Sequence, residues 1–311
     1  MNGTAADDVT LPEAPELPTL YRSALTLAVQ RRAGRGDVPT RLPAARHRVD
    51  RVAVDLGALT RFQQLLGSPV RDQLPSAYIH TIAFPVAMSV LARKDFPLPL
   101  LGMVHLSNEV HQARQVGFHE KLDVAAFAEN LRAHPAGMQA DLVTQVDIDG
   151  ERVWTGRSVY LARGVRIGPA MRERHDEDRP PFVAPAPTGV WRLDRGVGRR
   201  YAAVSGDWNP IHLSGPTAKA LGMRGAIAHG MYLAARMVDQ AVPAPSGALQ
   251  WRMDFAAPVL LPGTVTTSFT RVASGIDSGV DSGADSGARV DVVGWSAKRK
   301  RPHFTGSVRA G

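Results

Sequence analysis

Apolar residues recur in two rhythms along this chain, and each rhythm predicts a different element. Leu20, Ala24, Leu27 and Ala28 fall at helical spacing before Arg31, Arg32 and Gly34, which predicts a short amphipathic helix packed on something else. Residues 46–54 alternate as a strand does, and residues 56–66 return to helical spacing. Residues 76–93, SAYIHTIAFPVAMSVLAR, are apolar nearly all round and predict a long buried helix after Pro85. Strand-like segments follow at 103–116, 119–129, 138–147 and 152–163, with Asp149-Gly150 predicting a tight hairpin. The same order returns later: an apolar helical run at 223–238, then strands at 249–255, 263–272, 289–298 and 303–309.

That recurrence reads as a diverged duplication. Ile82-Ala83-Phe84-Pro85-Val86-Ala87-Met88 answers Ile227-Ala228-His229-Gly230-Met231-Tyr232-Leu233 at a fixed offset. Glu109 and Asp254 sit near the ends of matching strands, and Trp154-Thr155-Gly156 answers Phe304-Thr305-Gly306. A helix so apolar must be covered nearly all round, and an antiparallel sheet curled about it does this. The expected class is therefore α+β, with two tandem units, each a long central helix wrapped by an antiparallel sheet. The units are expected at 19–165 and 190–311, after a flexible tail at 1–18 that contains Pro12, Pro15 and Pro18. A charged, then proline-rich stretch at 166–189 reads as the linker between them. Residues 274–288 repeat Asp-Ser-Gly three times with almost nothing to bury, which predicts a mobile insert. The nine-residue glycine-rich period of a calcium-binding repeat is absent there.

Composition narrows the classes further. The chain has no cysteine, which excludes disulfides, thiolate metal sites and a cysteine nucleophile and fits a reducing cytoplasm. No apolar run approaches the ~20 residues a membrane helix needs, and the acidic N-terminus is the opposite of a signal peptide. The net charge is +8, and since the first twenty residues carry four acids and no base, the remainder carries +12. Such a body suits an anionic partner. The densest basic cluster, Lys298-Arg299-Lys300-Arg301, lies between two strand segments and reads as a solvated hairpin tip. No aromatic residues interleave with it as on a base-stacking surface, so no nucleic acid is expected. G-x-S-x-G, G-x-x-x-x-G-K-[ST] and H-E-x-x-H motifs are all absent.

The chemistry concentrates in residues 201–218, YAAVSGDWNPIHLSGPTA. Asp207 stands five residues before His212, with Gly206 and Pro210 breaking any continuous helix between them. The segment is a shaped loop, and Asn209 has the donors and acceptor to hold its bend. An Asp/His pair on one water or one C–H proton is general acid–base chemistry. On spacing alone, a polar turn with His212 at the surface accounts for the segment as well.

With the run MRGAIAHGMYLAARMV at 223–238, this loop resembles the signature of the MaoC-like, (R)-specific enoyl-thioester hydratases. Every place of that signature is filled, by Tyr201, Ser205, Gly206, Asp207, Asn209, Pro210, Ile211, His212 and Ala218. The resemblance covers nearly the whole chain past residue 20 and implies a double hot-dog fold. It further implies reversible hydration of trans-2-enoyl thioesters to (R)-3-hydroxyacyl thioesters in fatty-acid metabolism. Asp207 and His212 would hold the water, the backbone N–H of Gly230 would bind the thioester oxygen, and His229 would fix the loop. Ile211, Ala228 and Met231, with Met88 of the first unit, would line the acyl chain, although ordinary core packing is the stronger reading of Met88. The partner would be an acyl-coenzyme A or acyl carrier protein thioester, with no metal or separate cofactor and no membrane, and pairing of two chains as a homodimer is left open by the sequence. Only the second half carries the signature. The first has Asp72 and His80 but no G-D-x-N-P-x-H, and it has Phe84-Pro85 where the second has His229-Gly230, so one site per chain is expected. Two other readings remain: a hot-dog thioesterase, which needs its acid elsewhere and releases free thiol, and a non-catalytic acyl-thioester-binding subunit.

Overall fold

The computed structural model describes residues 8–33, 39–168, 181–243, 247–272 and 288–311. The expected insert at 274–288 lies, except for residue 288, outside these described residues, as does most of the charged part of the expected linker.

Strand β1 (Asp8–Thr10) pairs in parallel with β2 (Arg46–Val52). Residues 8–10, expected to be loose, therefore form an edge strand, and Leu17 beyond them is buried. Helix α1 (Leu17–Arg32) opens with Pro18 in its first turn, where a missing N–H costs nothing. Helix α2 (Leu56–Leu66) is capped by Asp55, whose side chain accepts from Ala58 N at 3.0 Å, and ends on Gly67 at φ 78°.

Helix α3 (Ser76–Leu91) does not wait for Pro85 but runs through it. A proline inside a helix costs about 3 kcal/mol. Ile79, Val86, Val90 and Leu91 are all almost fully buried, and each such side chain gains roughly 1.5–3 kcal/mol by leaving water. Burial outweighs the break.

The remaining strands of the first half are β3 (Val104–Gln112), β4 (Leu122–His134), β5 (Gly137–Ile148) and β6 (Glu151–Arg163). Asp149 and Gly150, both at positive φ, make the predicted tight turn between β5 and β6. The second half runs β7 (Gly189–Leu193), α4 (Val197–Ser205), a 3₁₀ turn (Pro210–His212), α5 (Gly215–Ala220), α6 (Gly230–Ala241), β8 (Leu249–Phe255), β9 (Gly263–Val272), β10 (Arg289–Ser296) and β11 (Arg301–Ala310). Residues 297–300 turn between β10 and β11, so the basic cluster sits at a hairpin tip.

All eleven strands form one sheet, in the order β1-β2-β4-β5-β6-β3-β8-β11-β10-β9-β7. The halves join where β3 and β8 pair antiparallel, from Ser107 opposite Asp254 to Gln112 opposite Leu249. Helices α3 and α6 pack on each other and on the strands of their own halves. Trp154 of β6 and Trp251 of β8, both buried, donate their indole N–H groups to the same acceptor, Ser76 Oγ, at 3.2 and 3.0 Å. Residues from both halves thus meet at the start of α3.

Strands β3 and β8 keep the sequence offset between the halves, but the starts of the two helices do not. Helix α6 begins at Gly230, whereas α3 begins at Ser76, well ahead of Pro85. Phe84-Pro85, the pair that the sequence sets opposite His229-Gly230, thus lies inside α3 and not at its start. Residues 92–103 between α3 and β3 are also a longer connection than 242–248 between α6 and β8. A cavity of about 250 Å³ lies between the start of α3 and the end of α6; Ser76, Arg71 and Asp239 line it, and no histidine does. Among the described residues no helix is long and apolar enough to cross a membrane.

Candidate functional site

The site is built by the chain between α4 and α6. Helix α4 buries Val197, Tyr201 and Ala202, and ends when Gly206 turns left-handed at φ 71°, its N–H returning to Ala202 O at 2.9 Å. Asp207 N then donates to Ser205 Oγ at 3.2 Å, and Asn209 N donates to Asp207 Oδ1 at 3.3 Å. Asn209 Oδ1 in turn accepts from Ile211 N at 3.3 Å, a local side-chain turn of the kind Asx residues favour. Pro210 opens the 3₁₀ turn in the position that needs no N–H, and the turn carries His212 inward, leaving it 8% exposed. Ala218 of α5 is fully buried beneath the loop's return. Ile227 N donates to Ile211 O at 3.1 Å and Ala228 N to Val259 O at 2.9 Å, and these bonds deliver His229 to the N-cap of α6.

These turns converge three side chains. A carboxylate oxygen of Asp207 and one nitrogen each of His212 and His229 all lie within 4.8 Å of one another. His212 Nδ1 is 2.9 Å from the carbonyl of Ile227; a carbonyl can only accept, so Nδ1 carries the hydrogen and Nε2 keeps its lone pair. By the same argument His229 Nε2 donates to the backbone oxygen of Asp207 at 3.0 Å, tying the loop to the start of α6. His229 Nε2 is also 3.8 Å from Asp207 Oδ2, and its buried Nδ1 has no partner among the described residues. Burial lowers the pKa of His212, and burial together with the neighbouring His212 brings His229 down to about 3. Both rings are therefore neutral at pH 7.

The same three residues are near enough to suggest a metal site, but their geometry fits one poorly. The imidazoles are stacked at 26°, which sets their lone pairs side by side rather than converging, and His229 has committed one nitrogen to the Asp207 backbone.

Gly230 is the first residue of α6, so its N–H is among the amides that the helix itself leaves unpaired, and the His229 side chain does not cap them. The ring of Phe255 lies against it: a Cβ at Gly230 would stand 2.9 Å from that ring. Tyr201 packs its ring 4.8 Å from His229. Of the expected acyl-lining residues, Ala228 and Met231 are buried, Ile211 is half-buried, and Met88 lies in the hydrophobic core with the rest of α3. Asp72 is exposed and is not one of the clustered residues.

The first half contributes residues that the sequence reading did not place at this site, His80 among them. Tyr21 of α1 donates its hydroxyl to Asp207 Oδ1 at 2.8 Å. His80 of α3, His105 of β3 and Tyr160 of β6 all feel the Asp207 charge. His105 stacks on Tyr160 at 4.6 Å and stands 4.9 Å from Phe255, the ring that covers Gly230. Burial brings His80 down to about 4 and His105 to about 3, and the Nε2 atoms of both are enclosed without a partner among the described residues. The one sequence signal for Tyr21 was its place beside Leu20 in the first predicted helix.

Residues 193–290, which span the whole Asp/His loop and the start of α6, match the MaoC like domain family. The chain is 32% identical over 238 residues, 75% of its own length and 84% of the relative's, to 3-hydroxyacyl-thioester dehydratase X of Mycobacterium tuberculosis. It belongs to the family of MaoC-like dehydratases. Like other MaoC-like dehydratases it is a hydro-lyase. Among solved structures, that of Mycobacterium tuberculosis HtdX superposes with a TM-score of 0.69 at 28% identity, covering 86% of this chain and 100% of that one. A second Mycobacterium tuberculosis protein, described as having a double hotdog fold, matches with a TM-score of 0.52 at 16% identity over 83% of this chain and 93% of its own, a likeness of fold alone. The MaoC-like chain is thus a double hot-dog, as its two helix-and-sheet halves require.

Proposed function

We propose that this chain interconverts 3-hydroxyacyl thioesters and trans-2-enoyl thioesters, with Asp207 and His212 sharing one water. The observation that carries the reading is that a carboxylate oxygen of Asp207 and a nitrogen each of His212 and His229 lie within 4.8 Å of one another at the start of α6, with the Nε2 of a neutral His212 left as an acceptor. Two acceptors each roughly 2.8 Å from one water oxygen stand about 4.5 Å apart, a span that falls inside the 4.8 Å limit of this cluster.

In the hydration direction the water donates one hydrogen to each acceptor, and its oxygen bonds to C3 of the enoyl group. The C2–C3 π pair moves toward C2 and the thioester oxygen, whose growing charge meets the Gly230 N–H at the start of α6. The proton released by the water passes through the acceptor that took it to C2, so both acceptors return to their starting state. Dehydration is the same path reversed. The relative named for dehydration of 3-hydroxyacyl thioesters supports the substrate class. The basic body of the chain, +12 beyond its first twenty residues, suits the phosphates of coenzyme A or an acidic carrier protein.

The test is an absorbance assay of trans-2-enoyl thioesters across a chain-length series on both carriers. Hydration by the wild-type protein is expected to give the (R)-3-hydroxyacyl product. Asp207→Asn and His212→Gln should each lower kcat by roughly 10²- to 10⁴-fold, the range of a positioned acid–base group, with folded-state circular dichroism unchanged. Free thiol release without hydration would mean a thioesterase instead, and an (S) product would reject the assignment.

A further inference from the structure

The two oxygens of the Asp207 carboxylate are not equivalent. Oδ1 receives two donors: the Tyr21 hydroxyl at 2.8 Å and the Asn209 N–H at 3.3 Å. No hydrogen bond reaches Oδ2 among the described residues: His229 Nε2 stands 3.8 Å from it, and its hydrogen goes instead to the Asp207 backbone oxygen. The carboxylate torsion is soft, so an oxygen stays in place only if something holds it. Asn209 N–H alone is a long bond from the same loop. Tyr21 makes the short bond, and it comes from outside the loop.

We infer that Tyr21 is a positioning residue, fixing Oδ1 of Asp207 so that Oδ2 is presented to the reacting water. The inference rests on the hydratase reading above and extends it to α1, an element that lies outside the matched domain residues.

Helix α1 is fixed well enough to do this. Leu17 and Ala24 are buried on either side of Tyr21, and Arg31 near its end donates to the carbonyls of Lys94 and Phe96 at 2.9 and 2.8 Å. Tyr21 itself is half-buried. Burial and the neighbouring carboxylate push its phenol well above the ordinary tyrosine value, so it remains a donor across the working pH range. The first half of the chain thereby controls a side chain of the second.

Tyr21→Phe removes the hydroxyl and leaves the ring. In the full-length protein, kcat should fall roughly tenfold to a hundredfold, the effect expected of a hydrogen bond to an ionised group, while KM stays within about twofold and the melting temperature holds. A second readout is the pH profile of kcat/KM. Asp207 is faced by Tyr21 from α1, His80 from α3, His105 from β3, Tyr160 from β6, Tyr201 from α4 and the imidazoles of His212 and His229. Only Tyr21 changes in the variant, so a limb displaced from its wild-type position reports the lost donor. Wild-type kcat with an unmoved limb overturns the inference, as does a loss of activity accompanied by an equal loss of folded protein. Asp207→Asn is measured alongside: if it retains full activity, the hydratase reading fails, and that failure is distinguishable from a failure of Tyr21 alone.

Discussion

The imidazole rings of His212 and His229 lie face to face, with centroids 3.7 Å apart and an interplanar angle of 26°. Two protonated rings cannot occupy that arrangement cheaply, and burial lowers the pKa of both. His80 and His105, brought down to about 4 and about 3, add two more imidazoles held neutral by the fold. In the unfolded chain each returns to its ordinary value of 6.5. The unfolded state then binds more protons than the folded state as pH drops below about 6.5. Stability is therefore complete above that pH and is lost progressively as pH falls toward the folded values, by up to about 1.4 kcal/mol per pH unit for each histidine. Denaturation midpoints between pH 8 and pH 4.5 should be flat above pH 7 and fall steeply below 6.5. His105→Phe keeps a ring on Tyr160 and should flatten the slope; a slope equal to wild type would mean His105 is charged in the fold.

The seam between the halves sets surface charge against buried rings. Arg252 of β8 reaches Glu109 of β3 at 3.0 Å and Asp254 at 2.6 Å, but all three side chains are more than a third exposed. Such pairs are worth about 0–1 kcal/mol. On the other face Trp251, 2% exposed, sits opposite Val110 and bonds to Ser76. Arg252→Met should change stability by less than about 1 kcal/mol, and Trp251→Ala should cost about 3–5 kcal/mol. Urea denaturation of the two variants checks the order, and the opposite order would make the seam electrostatic.

What was legible in the sequence was what local chemistry decides. The range 56–66 carries its own cap and periodicity and became α2, and the alternating runs 249–255 and 263–272 became β8 and β9. The Asp207–His212 loop was legible because its bends are made by its own glycine, proline and asparagine. Edge strands β1 and β7 were not, since so few residues acquire strand character only from partners distant in sequence. The passage of α3 through Pro85 depends on burial that no local pattern states. Tyr21 was out of reach for the same reason: it stands 186 residues from the carboxylate it touches.

Asp72 offers a control for the asymmetry between the halves. Its carboxylate is exposed, and its backbone oxygen, which accepts from Phe118 N at 2.9 Å, survives any side-chain change. Asp72→Ala should leave both the melting temperature and kcat/KM within about twofold of wild type, the small effect usual for surface changes. Loss of activity in steady-state assays of this variant would point to a working site in the first half.

Gly198 lies on the buried face of α4, and its closest neighbour is the loop it helps position. A Cβ there would stand 2.1 Å from the carbonyl oxygen of His212 and 3.1 Å from its carbon. Both are backbone atoms, so no side-chain rotation relieves the clash; either α4 or the His212 turn must move. Helix propensity alone predicts that Gly198→Ala stabilises the protein by about 1 kcal/mol, while overpacking of this kind costs about 1–3 kcal/mol. The clash should win, giving a net loss of stability. Because a shift of about 1 Å at a catalytic group can cost roughly 10²-fold, kcat/KM should fall further than stability alone accounts for. Gly215→Ala is the matched comparison: nothing lies within 4 Å of its added carbon, so it should be neutral or slightly stabilising. Steady-state kinetics and thermal melts on the pair decide the matter, since equal behaviour of the two variants would mean that α4 does not set the position of His212.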